Sequence, residues 1–263
     1  MTVASSRSSV VSSFTIIKGS LIDETYSAFA SWDFSRSKLE NLQDLERENT
    51  IGAASRNWAR DVRKVLNRRF DPEGRDRPLV ELAQGDCDRQ VWRPLLLWHM
   101  TRDEFLLRDF LVNWLFEKYE AGAYRVGTDD VAVYVGSLTK KQGISWSGDW
   151  TRTTTERVAS GLLRIAADFG LLSGGASKEF APYHLPDESL LYLLHAVAAE
   201  EKNARRVIEA SDWHMYFMDS GEVEREILRL HQFHRLGYQA AGSLATLDLP
   251  AESPGAYARE LVA

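Results

Sequence analysis

Between Ser55 and Phe70 the chain places six basic residues, Arg56, Arg60, Arg63, Lys64, Arg68 and Arg69, against one acid, Asp61, a local charge of +5. Guanidinium and ammonium groups in such a row suit one chemistry above others, the charge-assisted binding of phosphates. Stepping roughly 100° per residue around a helix sets Arg56, Arg60, Arg63, Lys64 and Asn67 on one face. Trp58, Val62, Val65 and Leu66 fall on the other, which faces a core. A second use of the same face stands beside phosphate binding. Residues 17–50 carry four bases and seven acids, so the basic face can stay solvated or pair with that acidic segment.

A second basic group comprises Lys140, Lys141, Thr151, Arg152, Thr153 and Arg157, with Trp150 beside it. Residues 138–164 hold five bases and two acids, a net of +3. Hydroxyls and free backbone amides at a helix start bind phosphates, and flanking arginines add attraction. The alternative is that the threonines only cap the helix while Trp150 packs beneath it. Thr153 and Glu156 have the spacing of a capping box.

Other chemistries lack their residues. The sequence has no GxxxxGK[ST] loop, no GxGxxG motif and no GxSxG elbow. Cys87 is the lone cysteine and sits in Gly85-Asp86-Cys87-Asp88, where carboxylates oppose thiolate formation. His231 and His234, with Asp212 and His214 upstream, lack any usual zinc spacing. Asp129-Asp130 and Asp187-Glu188 fall at predicted helix starts, where they complement the helix dipole. The sequence therefore reads as a binding protein without cofactor or metal, and not as an enzyme.

The elements that must position these groups are helices. Apolar periodicity predicts them over 17–30, 38–48, 55–70, two within 90–119, 128–141, one following Thr153 and ending at Gly170, 187–210 and 222–236. Thr128 is a candidate cap, and Tyr238–Leu249 is expected to form a short hairpin around Gly242. A helix, a turn, a helix and then an extended excursion over 171–185 is the order of a helix-turn-helix with a wing. The expected organisation is a disordered tail over 1–13, helical subdomains over 14–121 and 122–250, and a frayed tail over 251–263.

Hydrophobic residues at 44% and charged residues at 27% are those of a globular chain. The net charge of −6 opposes indiscriminate nucleic-acid binding, so any such role rests on local patches. The most apolar stretch, Leu190–Ala199, is too short to span a bilayer. A single cysteine suits a reducing compartment. The expectation is a soluble, cytoplasmic protein without membrane contact.

Several of these segments resemble one family. They are Phe14-Thr15-Ile16-Ile17-Lys18-Gly19-Ser20-Leu21 with Glu24, the basic run 56–69, the aromatic run 114–119, Trp150-Thr151 with Arg157, and Gly170-Leu171-Leu172. Together they are similar to the BrxA proteins of bacterial BREX phage-defence systems, as a scattered pattern over residues 14–250. The resemblance implies an all-α fold related to the antitermination factor NusB. It also implies double-stranded DNA binding through a basic surface, and other BREX system proteins as partners. Members have been labelled inner-membrane proteins, which the missing apolar span contradicts, and this chain looks longer than a compact member after Gly175. Beside DNA binding stand a protein–protein adaptor role within the defence complex and RNA binding as in NusB.

Overall fold

The predicted apolar stripes close on one another in a computed structural model that describes residues 10–138, 145–146, 150–201, 203–242 and 244–263. A two-residue strand, β1 (Val10–Val11), leads into α1 (Ser13–Lys18) and α2 (Ile22–Ala30). These replace the single first helix expected from residue 17, because Gly19 at φ 92° and Leu21 at φ 55° turn the backbone out of the helix. The expected tail thus gives way to structure by Val10, and Val11 is fully buried. α3 (Lys38–Glu48) and α4 (Arg56–Arg69) follow as predicted, the first held by a Ser37–Glu40 capping box and the second by the Ser55 hydroxyl.

α5 (Arg77–Gln84) and α6 (Arg89–Met100) precede α7 (Phe105–Asp109), which runs through a π-helical turn over Phe110–Leu115 into α8 (Phe116–Glu120). Next come β2 (Arg125–Val126), α9 (Thr128–Leu138), β3 (Ser145–Trp146) and α10 (Arg152–Asp168). The Asp130 carboxylate accepts from Gly127 N–H at 2.8 Å just before α9. β4 (Leu172–Ser173) and β5 (Lys178–Phe180) form a hairpin that β2 joins in the order β2-β5-β4, all antiparallel. β1 and β3 pair in parallel.

The long helix expected over 187–210 is two, α11 (Asp187–Glu200) and α12 (Ala204–Ile208). The Asn203 side chain accepts from Arg205 N–H and starts the second one afresh. A 3-10 turn (Ser211–Tyr216) leads to α13 (Ser220–Gln232), the hairpin of β6 (Gly237–Ala241) and β7 (Leu244–Asp248), and α14 (Pro254–Leu261). The end of the chain does not fray. Ser253 caps α14, which buries Tyr257 and Ala258 against α5 and α11. The fold is mainly helical, as expected, with only small strand pairs.

One continuous hydrophobic cluster runs through elements of both halves. Two buried polar knots tie it. The Asp76 carboxylate meets His99 Nδ1 at 2.6 Å, and His99 Nε2 meets the Tyr192 hydroxyl at 2.9 Å, linking the start of α5 to α6 and α11. Burial pushes the Asp76 carboxyl upward, but the His99 hydrogen bond and charge, with Arg75, outweigh it and hold the group below the ordinary carboxylate range. The second knot centres on Arg69.

Candidate nucleic-acid interface

Arg69 is not part of the exposed basic face. Its side chain is wholly buried, with Nε 3.2 Å from Glu104 and the two terminal nitrogens donating to the carbonyls of Thr15, Gly19 and Ser20. Glu104 is itself 1% exposed and takes a further bond from the Thr15 hydroxyl at 2.8 Å. The guanidinium is a structural tie between α4 and the α1–α2 loop, and no phosphate can reach it. The apolar period held the signal: Val62, Val65, Leu66 and Arg69 follow the i, i+3, i+4, i+7 rule of a buried stripe.

The rest of α4 divides in two. Arg60 and Arg63 lie 3.4 Å and 2.9 Å from Glu46 of α3, so the acidic segment does pair with part of the basic face. Arg56, Lys64 and Arg68 are exposed and meet no carboxylate among the described residues. By helical stepping of roughly 100°, Lys64 and Arg68 lie on the flank of Asp61, and Asp61 bonds Lys18 of α1 at 2.5 Å.

The start of α10 lies two residues earlier than the Thr153–Glu156 box requires. Thr151 is the cap, accepting from Thr154 N–H at 3.2 Å. Its hydroxyl is committed to that role, and Trp150 is partly buried against the core. Glu156 instead pairs with Arg152 at 2.8 Å on a side chain 92% exposed. Thr153 and Arg157 remain exposed, and they line a groove with Ser160 and Arg164 on the outer side of α10. Lys140 and Lys141 lie outside the described residues.

Packing adds cations that local charge density did not single out. α1 touches both α4 and α10. Gly161 permits the second contact, because a Cβ there would stand 2.8 Å from the Ile16 carbonyl oxygen. Beside α1 opens a cleft of about 550 Å³ lined by the cations Lys18, Arg89, Arg93 and Arg164, by the acids Asp23, Glu24 and Asp168, and by Trp58 and residues 19–22. Arg89 pairs with Asp23 at 2.7 Å and stacks over Tyr26. Arg93 and Arg164 donate to the carbonyls of Asp168 and Ile17. Both partners accept through backbone oxygens, and neither guanidinium makes an ion pair among the described residues, although the Asp168 carboxylate borders the same cleft. Arg164 also lines the Thr153–Arg157 groove, which makes cleft and groove one continuous surface.

Cys87 is half-buried, and burial followed by the charges of Asp88, Glu188 and Asp86 pushes its thiol up to about 11, away from reactivity. The histidines do not converge. His214 stacks on Phe116, while His231 accepts from Tyr238 N–H. Among the described residues no cluster has the makings of a metal site, and no helix is long and apolar enough to cross a membrane.

These features describe a mainly helical protein with exposed or cleft-lining cations on α4, α6 and α10 around α1. The sequence model of the BrxA family matches residues 13–196. The chain therefore belongs to the BrxA family, and that membership makes it a component of BREX phage defence. No curated protein and no solved structure matches the chain.

Proposed function

We propose that this protein is a non-catalytic DNA-binding component of the BREX system, working beside other proteins of that system and holding duplex phosphates along the surface that runs from α4 past α1 to α10. The observation that carries the reading is the continuity of the Arg93–Arg164 cleft with the Arg157 groove, where these three arginines make no ion pair among the described residues although Asp23, Glu24, Asp168 and Glu156 share the lining. Apart from β3, which pairs with β1, the order β2-α9-α10-β4-β5, with β5 between β2 and β4, supports it. That is the order of a winged helix-turn-helix, whose second helix enters the major groove by its N-terminal residues. In α10 those residues include Arg152, Thr153 and Arg157.

The test is binding of a short random duplex across a salt series. Six contacts from Arg56, Lys64, Arg68, Arg93, Arg157 and Arg164 give a slope of log affinity on log salt of about −5. Reversing Arg157 and Arg164 to Glu removes about two units of it, and reversing Lys64 and Arg68 removes as much. An unchanged slope in both variants refutes the surface. The Arg60 and Arg63 pairing with Glu46 favours a second reading, in which basic helices dock acidic protein surfaces. Complex formation with other system components and no duplex binding at low salt selects it.

A further inference from the structure

A pocket of about 390 Å³ opens on the side of the wing strand, where α8, β5, α11 and the start of α13 meet. Its size falls in the range of small-ligand sites, roughly 300–1,000 Å³. One wall is a ring cluster in which Tyr119 and Phe217 stack at 4.5 Å and Phe180 stands edge-on to Phe217 at 5.5 Å. The other wall is the Tyr183–Tyr216 stack. Phe217 holds a left-handed backbone at φ 58° while remaining 5% exposed. For a bulky residue that conformation costs about 1–3 kcal/mol, which the surrounding ring packing sustains. Six of the fourteen residues that line this pocket lie past 196, beyond the family match.

The charges at the mouth are Glu222, Arg225 and Glu226. Glu222 uses one carboxylate oxygen to cap α13, and the other makes an ion pair with Arg225 at 3.6 Å, beyond hydrogen-bond distance, which a better-placed cation can displace. Glu226 bonds Arg229, and its side chain is 36% exposed. Among the described residues the chain sets its own cations over seven rings elsewhere, as Arg89 over Tyr26 and Arg102 over Trp98. Among the described residues none lies over the five rings of this pocket. Aromatic faces beside carboxylates attract organic cations.

We infer that this pocket binds a guanidinium or alkylammonium group, held over the Tyr119 and Tyr183 walls and paired with Glu222. The group comes either from a free organic cation or from an arginine side chain of a partner protein. The site shares Phe180 with the wing hairpin, so its occupancy reaches β5 without touching the cations of the DNA-facing surface.

Calorimetric titration of the full chain with argininamide and with its neutral isostere citrullinamide tests the inference. Argininamide is expected to saturate one site and citrullinamide to bind at least tenfold more weakly, about 1.4 kcal/mol. Glu222→Gln keeps the cap-forming side chain and is expected to weaken argininamide about tenfold; Tyr119→Ala, at the rim, is expected to do the same. A blocked Gly-Arg-Gly peptide that binds as tightly as argininamide assigns the group to a partner side chain, and binding of the free amide alone assigns it to a small molecule. Equal binding of the two isosteres, no argininamide binding at about 10 mM, or preferential binding of adenosine monophosphate overturns the inference. Unchanged far-ultraviolet dichroism in both variants ensures that a loss reports the pocket.

Discussion

Replacing Arg69 by Met is expected to damage stability and not a nucleic-acid contact, although Arg69 sits in the most basic run of the sequence. The side chain makes four hydrogen bonds, one to Glu104 and three to the carbonyls of Thr15, Gly19 and Ser20. Methionine fills much of the volume but leaves the Glu104 carboxylate charged and 1% exposed. Breaking a buried pair from one side costs about 3–5 kcal/mol, against a total stability of roughly 5–15 kcal/mol for a folded domain. Urea unfolding followed by tryptophan fluorescence reads the loss directly. Arg68→Met, on the exposed neighbour, is expected to stay within about 0.5 kcal/mol of the parent. Adding Glu104→Gln to Arg69→Met removes the stranded charge and recovers part of the loss; the three carbonyls still lack their donor. A loss below about 1 kcal/mol for Arg69→Met, or an equal loss for Arg68→Met, refutes the buried tie.

Glu46→Gln frees Arg60 and Arg63 from their shared carboxylate; for ion pairs at the surface, here partly exposed, the loss costs about 1 kcal/mol of stability. The duplex salt slope is expected to steepen by up to about two units if both arginines then reach phosphates, and an unchanged slope places them off the DNA path. His195 accepts from Ala251 N–H at 3.1 Å, and burial lowers its pKa despite its bonds to Leu191 and Ala251. The unfolded chain therefore takes up a proton first: this stability is complete above about pH 6.5 and is lost as the pH falls through the lower folded value. Urea midpoints measured from pH 7 to pH 5 are expected to fall, and to fall less in His195→Gln; parallel profiles in the two proteins dismiss His195 as the cause. Removing residues 251–263 uncovers the seat of Tyr257 and Ala258 and is expected to cost at least about 3 kcal/mol; a truncated chain with the parent's urea midpoint contradicts the docking of α14.

Much of the helical order was readable because amphipathic spacing and caps agree locally. Ser55 before Trp58, Val62, Val65 and Leu66 defines α4 at both ends, and the break at Gly170 ends α10 where glycine takes φ 82°. The misreadings have local causes too. Gly19 divides the first helix, while Thr151 competes with Thr153 for the cap of α10 and wins because its hydroxyl reaches Thr154 N–H. The chain end, expected to fray, forms α14. Its two buried residues, Tyr257 and Ala258, find their partners on α5, more than a hundred and seventy positions away.

The candidate site was less legible than the fold, and the reason is electrostatic. Dense charge in a short segment attracts its opposite from neighbouring segments: α3 lies next to α4 in sequence and in space, and Glu46 takes up two of the arginines that made the run conspicuous. Burial takes a third, Arg69. Arg93 of α6 and Arg164 of α10 make no ion pair among the described residues: each settles on a backbone carbonyl, and the Asp168 carboxylate in the same cleft takes the Ser20 hydroxyl. A uniform backbone of phosphates responds to uncompensated charge and not to the count of basic residues. The surface that this reasoning favours for DNA is therefore built around α1, a six-residue helix with a single base, because it packs against both α4 and α10 and its end borders the cleft that holds Arg93.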